Sequence, residues 1–431
     1  MPPANPTSFR LEHAVLSDIG MRRANNQDSV VAVINEGSTV GRGGLFMVAD
    51  GMGAHAAGEL ASKLAVDNVP HSYRQQKDQS PPMALRKAVQ EANLLIHNKG
   101  QSSPEFHGMG TTCTSLLAIG NAALVAHVGD SRVYRVRGDE LQQLTFDHSL
   151  VWEIAEAHDT TEDNVPACIP KNVITRSLGP HPVVNVDLEG PFDLQEGDAF
   201  VMCSDGLTGV VENEVIGAVL ASMPPQEAAQ TLIDLANLGG GPDNISVVAI
   251  RVGKASETPG AEPPTRLTPQ GTRWALVASF VCLAAVIWCI AEQFVWGAVL
   301  SAVGLGASVA RVFARDSHRQ VGSLATLGGP YGSAPYRRVA CGPGPETTGA
   351  IREVLDELSK LREKTTQLNG AANIDWTGFD RTVKEAEATG DWRQQVCGYG
   401  QALRGLMKQV RESPRLREKA LDPKSGSSVI E

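Results

Sequence analysis

LFMVADGMGAHAAGE, residues 45–59, is the stretch from which the rest of the chain can be read. An apolar run stops at Asp50 and is followed by Gly51, Met52 and Gly53. A buried strand that empties into an acid and glycines places a carboxylate at a sheet edge, where backbone can approach a ligand closely. Glu59 and the alanines then open a helix. Working outward, three more strand-like runs border an isolated aspartate: Asp130, Asp205 in Cys203-Ser204-Asp205-Gly206, and Asp243 in Gly241-Pro242-Asp243-Asn244. A fifth acid, Asp28, precedes the β-branched run 30–34. Five acids at strand borders predict a cluster of oxygen ligands for a metal.

The order of elements sets the fold class. Short strands are expected at 11–16, 30–34 and 44–50, then a helix over 56–69 stopped near Pro70. A polar loop at 70–81 leads to a second helix over 83–97 with apolar residues at helical spacing. Strands follow at 111–119, 123–128 and 132–136 with tight turns between them. Residues 150 onward turn helical, and 158–172 are polar and Pro-broken, a loop beside a site. A strand at 199–203, helices at 212–220 and 225–238, and a strand at 245–252 complete the domain. Strands that succeed one another without helices exclude a doubly wound parallel sheet. Two antiparallel sheets flanked by helical pairs satisfy the order.

Composition narrows the function classes. The 431 residues carry a formal net charge of −10 without a basic tract, which argues against a nucleic-acid partner. Seven cysteines without a CxxC pair exclude a disulfide scaffold or a thiolate zinc site. The N-terminal MPPANPTSFR has no basic, apolar signal segment.

SDIGMRRANNQDS at 17–29, DGMGAHAAGE at 50–59, GTT at 110–112 and VGDSR at 128–132 occur in order. LTFDHS at 144–149, ITRSLG at 174–179, CSDGLTGVV at 203–211 and GGPDNISVV at 240–248 follow. Together they resemble the metal-dependent serine/threonine protein phosphatases (PPM, or type 2C) in their bacterial form. The resemblance covers about residues 11–252. It implies an α+β fold, a four-layer α-β-β-α sandwich with two central antiparallel sheets. It implies hydrolysis of phosphoserine and phosphothreonine in proteins, opposing bacterial serine/threonine kinases. A phosphatase of a sigma-factor regulatory switch protein and a non-catalytic phosphoprotein-binding module are the alternatives.

By that resemblance, Asp28 and Asp50 are ligands of a two-metal centre, with Asp50 bridging and Gly51 lending its carbonyl. Asp205 and Asp243 complete one side, Asp130 helps hold a further ion, and Arg23 grips the substrate phosphate. Carboxylate and carbonyl ligands suit Mg²⁺ or Mn²⁺. Two such ions lower the pKa of a water between them and offset phosphoryl charge during in-line attack. Met52 stands where eukaryotic members carry a histidine, and Ala54 where bacterial members usually have glycine. His55 and His148 are expected to order loops, and Cys203 and Ser204 to have no covalent role.

The catalytic domain is assigned to residues 8–253 and a Pro- and Thr-rich linker to 254–273. Residues 274–310 hold two strongly apolar halves interrupted by Glu292-Gln293. Each matches a bilayer core of about 30 Å. Arginines on both flanks favour a transmembrane hairpin with both ends inside; a single span would put the C-terminal region outside. That reading makes the membrane a partner and the cell membrane the location, with the catalytic domain cytoplasmic. A flexible linker is expected at 311–349 and a helical region at 350–412. Within it, 379–403 resembles a single tetratricopeptide-like hairpin suited to a protein partner. A polar tail follows at 413–431.

Overall fold

The computed structural model describes residues 8–256 apart from 35–38, 40, 55, 159, 161, 167 and 171. It also describes 327–344 without 333–335, the single positions 358 and 362, and 375–412. Two antiparallel sheets form its centre. One has the order β1(Ser8–Asp18), β11(Ile245–Ser256), β10(Ala199–Cys203), β7(Arg132–Arg137), β8(Glu140–Gln143), β12(Arg338–Ala340). The other has the order β2(Asp28–Val33), β3(Gly44–Met52), β5(Cys113–Ile119), β6(Ala122–Val128), β9(Asp187–Asp193), with β4(Gly110–Thr111) beside the end of β3.

Side-chain alternation explains the layers. On β3, Phe46 and Val48 point into the core between the sheets, where they join Phe200, Met202, Val248 and Ile250. Leu45, Met47 and Ala49 point the other way, against the alanine-rich faces of α1(Ala57–Gln75) and α2(Pro81–Gln101). A strand buried on both faces reads as a continuous apolar run. On the far side, α5(Asn213–Ser222) and α6(Pro225–Leu238) cover β7, β10 and β11. The expected four-layer sandwich is therefore present.

Two local departures have physical causes. Helix α1 runs through Pro70 to Gln75 rather than stopping. Arg42 donates to the Tyr73 and Gln76 carbonyls, and the Tyr73 hydroxyl donates to the Arg42 carbonyl, so the last turn is anchored. The strand β9 was not expected, because Gly190-Pro191 sits inside it; it pairs with β6 across a register shift.

The C-terminal part of the fold requires a correction. Among the described residues no helix is long and apolar enough to cross a membrane. The 274–310 block, the 254–273 linker beyond residue 256, and the tail 413–431 lie outside the described residues. The transmembrane segment, the membrane as partner and the cell-membrane location are therefore not supported: they rested on the hydropathy of a 37-residue run and the basic residues beside it. The described segments that follow the block instead return to the catalytic body. Residues 338–340, expected in a linker, pair as β12 with β8. The helices α7(Trp376–Glu387) and α8(Trp392–Glu412) form a hairpin. Val396, Leu403, Met407 and Val410 recur at helical spacing on α8 and pack onto the outer side of α5 and α6. Gly400 lies so close to Met223 that a Cβ would stand 2.3 Å from its methyl group. The apolar face read as a surface for another protein is thus covered by this chain's own helices.

Candidate metal centre

The five predicted acids come from strand borders that meet at one edge of the sandwich. Asp28 opens β2 and Asp50 lies directly opposite it on β3. Asp205 starts the short helix α4(Asp205–Thr208) immediately after β10, and Asp130 follows β6. Asp243 precedes β11, in the loop that follows α6.

The backbone around Asp50 is fixed from three sides. Its N–H donates to Thr112 Oγ1 at 2.8 Å, and its carbonyl accepts from the Thr112 N–H at 2.8 Å and from Thr111 Oγ1 at 2.9 Å. Thr112 Oγ1 also lies 2.8 Å from Ser131 Oγ, which ties the Asp50 strand to the Asp130 turn. Gly51 is required by contact: a Cβ there would stand 2.1 Å from the Gly58 carbonyl oxygen and 2.5 Å from that of Gln27. A Cβ on Gly206 would stand 2.0 Å from the Asn244 carbonyl oxygen, so only glycine lets the Asp205 and Asp243 loops meet.

The carboxylates repel one another in a dry place. Burial pushes the Asp28 carboxyl up to about 7 against the pull of Ser204 and Ser246, with Asp205 and Asp243 raising it further. Burial likewise raises Asp130 to about 8, with Asp205 and Asp147 adding to it. Asp50 is raised by burial, then by Asp28, Asp205 and Asp130. Asp205 is raised by burial and then by Asp243, with the neighbouring Asp50 pulling it down. One buried oxygen on each of Asp28, Asp130 and Asp205, the Oδ1, has no hydrogen-bond partner. Such orphans are costly unless something outside the chain satisfies them. Among the described residues no three His, Cys, Asp or Glu side chains already form a converged metal cage. The acids are buried neighbours that repel one another rather than a finished coordination shell.

Arg23 lies at the rim with its side chain 49% exposed, and its Nη2 donates to Asp243 Oδ2 at 2.6 Å. The predicted phosphate-gripping cation therefore pairs with a predicted ligand. Asp243 Oδ1 accepts from the Asn244 N–H at 2.8 Å.

Several supporting residues were missed in the sequence because their roles depend on tertiary neighbours. Ser204 Oγ donates to Asp28 Oδ2 at 2.7 Å and accepts from the Ser246 N–H at 3.0 Å. Asn244 stitches the Arg23 loop together: its amide donates to the Ile19 and Asn25 carbonyls, and its oxygen accepts from the Gln27 N–H. Asp18 accepts from the Gly20 N–H at 2.8 Å and from Asn237 Nδ2 at 3.2 Å, which makes it a loop cap. His148 accepts from the Gly129 N–H at 2.9 Å through Nδ1 and faces Asp187 Oδ2 at 2.8 Å through Nε2. It orders loops, as expected; His55 lies outside the described residues. Cys203 is fully buried and its thiol is pushed up to about 12, so no thiolate is available there at neutral pH.

Comparison with known proteins bears on this geometry. The family model described as protein phosphatase 2C matches residues 21–234. The protein phosphatase PhpP of Streptococcus pneumoniae is 36% identical over 244 residues, which cover 56% of this chain and 97% of that protein. The solved serine/threonine phosphatase of S. agalactiae is 38% identical, with a TM-score of 0.52, over 56% of this chain and 99% of that one. The catalytic domain of the serine/threonine protein phosphatase PstP, solved in complex with two manganese ions, is 36% identical with a TM-score of 0.50; the match covers 57% of this chain and 100% of that one. On the family match and the near-complete coverage of these relatives, the chain belongs to the protein phosphatase 2C family.

Proposed function

We propose that the carboxylate cluster is the dinuclear metal centre of a protein-serine/threonine phosphatase. The chain hydrolyses phosphoserine and phosphothreonine in proteins, and the class of substrate we assign includes serine/threonine kinases and their targets. The observation that carries the reading is the set of orphaned buried oxygens on Asp28, Asp130 and Asp205 beside Asp50. The donor set is all hard oxygen, which suits Mn²⁺ or Mg²⁺. The manganese pair in the PstP domain supports the same pair here.

Asp28, Asp50, Asp205, Asp243 and the Gly51 carbonyl would hold the two ions, and Asp130 a further one. When bound, the ions supply an activated water and offset the charge on the phosphoryl group. The chain's own residues do the rest. Ser204 holds Asp28 at Oδ2, which leaves Oδ1 free to ligate. Thr111 and Thr112 lock the Asp50 peptide so that its carboxylate cannot swing away. Arg23, on a loop stitched by Asn244, offers paired donors to phosphate oxygens at the rim. Met52 carries no titratable proton, so position 52 supplies no general acid.

The full-length chain assayed on a phosphothreonine peptide tests the reading. Turnover that needs Mn²⁺ and stops with EDTA is expected. Tight binding of the phosphopeptide with no release of phosphate at any Mn²⁺ concentration would instead make the chain a binding module.

A further inference from the structure

Residues 327–332 and 336–341 come back to the catalytic domain more than seventy positions after its last strand, and Arg337 meets Glu162 of the 158–172 loop. The family match ends at residue 234, so this segment is no part of it. Its seat is built at several points. Gly190 and Tyr331 form a β-bridge, and the Tyr336 hydroxyl donates to Glu189 Oε2 at 2.7 Å. The Gln143 N–H donates to the Arg337 carbonyl, and β12 continues the sheet. Cys341 is fully buried against Gly217, where a Cβ would stand 2.5 Å from its own Cβ.

Two side chains of this segment bear on the region of that loop: Tyr336 through the aromatic residues before the loop, and Arg337 through Glu162 in it. The Tyr336 ring stacks on Phe146 at 5.7 Å, and Phe146 meets Trp152 edge-on at 5.9 Å. Trp152 belongs to α3(Leu150–Ala157), the helix that leads into the loop. Arg337 Nη1 lies 3.5 Å from Glu162 Oε2. Glu162 Oε1 lies 3.0 Å from Arg132 Nη2, and Arg132 is two residues from Asp130. The loop is polar and Pro-broken, so contacts of this kind hold it where a core does not.

We propose that residues 327–332 and 336–341 are an intramolecular strap that holds α3 and Glu162 beside the Asp130 turn of the metal centre, with Tyr336 and Arg337 as positioning residues for peptide-borne phosphate. The proposal rests on the phosphatase reading. Neither residue touches the carboxylates, so the strap acts on how a peptide chain is seated and not on the phosphoryl group. A small aryl phosphate needs only the metals and Arg23. A phosphopeptide also needs a wall for the residues that flank its phosphate. The strap gives that wall one position.

The test compares full-length wild type with Arg337→Ala, Arg337→Lys and Tyr336→Ala on a phosphothreonine peptide and on p-nitrophenyl phosphate. Amide hydrogen exchange over 150–165 is followed in each. KM for the peptide is expected to rise about two- to fivefold in Arg337→Ala, the scale of a part-exposed ion pair. Loss of the stacked ring in Tyr336→Ala is expected to raise it about tenfold. kcat for p-nitrophenyl phosphate should stay within about twofold in both variants, since the strap makes no contact with the reacting group. Exchange over 150–165 should quicken while that of β10 holds, and Arg337→Lys should recover part of the KM change. Unchanged exchange and unchanged peptide KM would overturn the strap. Equal losses on both substrates with a lowered Tm would also overturn it, as the mark of plain destabilisation. Wild type without Mn²⁺-dependent turnover of either substrate would bring down the phosphatase reading, while exchange at 150–165 would still judge the strap.

Discussion

Asp130 and Asp147 are buried to nearly the same degree, 7% and 5% exposed, and their surroundings are opposite. Asp147 is closed. Arg132 donates to it three times, from Nε to both oxygens and from Nη2 to Oδ2 at 2.6 Å. Burial alone would lower the Arg132 pKa, but Asp147, Tyr134 and Glu162 outweigh it and keep the guanidinium firmly charged. Asp130 sits two residues before that arginine and is open, with Oδ1 unpartnered and other carboxylates around it. A buried acid with its cation built in is part of the architecture. A buried acid whose nearest charges include other acids is what the proposed cation site calls for. The contrast separates stability from function residue by residue, and it can be tested that way.

The largest effect expected is on the open side. Asp50→Asn should lower kcat about a thousandfold, the scale at which losing preorganised charge stabilisation acts. Its Tm should hold or rise, because a repelling charge is removed. A kcat within tenfold of wild type at saturating Mn²⁺ would break the comparison at its centre. On the closed side, Asp147→Ala should cost about 3 kcal/mol of unfolding free energy, because buried Arg132 loses three charge-assisted hydrogen bonds and keeps only Glu162 as a charged partner. Urea titration in EDTA reads this without the metals, and a cost below about 1 kcal/mol would place Asp147 with ordinary surface acids.

A smaller effect should appear with pH. His127 is buried neutral, its pKa lowered by burial and then by His148 from 6.5 to about 3. Below pH 6.5 the unfolded chain takes up a proton that the folded one refuses. This contribution is whole above pH 6.5 and is lost as pH falls toward 3. By pH 5 the loss is about 2 kcal/mol. The wild-type decline between pH 6.5 and pH 5 should be steeper than that of His127→Gln by this amount. The smallest effect is reserved for Asp130→Asn, which should raise the Mn²⁺ needed for half-maximal rate by about tenfold and leave kcat at saturation nearly unchanged. A collapse of kcat equal to that of Asp50→Asn would move Asp130 into the central pair.

The acids were legible in the sequence because each stands where an apolar run breaks into glycine or a turn. That local signature needs no knowledge of the partner strand. The two sheets were legible for a related reason, since alternation and turns are also local. Ser204, Thr112 and Asn244 were not, because serine, threonine and asparagine beside any strand look alike until the neighbouring strand is placed. The pairing of Arg23 with Asp243 joins residues 220 positions apart. The same limit explains β9, whose Gly190-Pro191 reads as a break, and the strap, whose partners all lie in the domain before it. The apolar block at 274–310 shows the converse. Its composition was clear, and composition with the flanking arginines carried a membrane reading that no described helix supports.

The first and last strands of the catalytic domain are partners: Ser8 lies opposite Ser256, and Asp18 opposite Ile245. This has a consequence for synthesis. While the chain is being made, β1 has no neighbour on its own sheet until residue 245 and its successors leave the ribosome. At about 5–20 residues per second, that wait is roughly ten to fifty seconds. During it an eleven-residue strand with apolar Phe9, Leu11 and Ala14 stands with its edge open. The Arg23 loop waits with it, because the asparagine that stitches that loop immediately precedes the closing strand. Nascent chains stalled before residue 245 should therefore hold a nearly complete second sheet and no working site, and they are the species in which a chaperone would meet this protein.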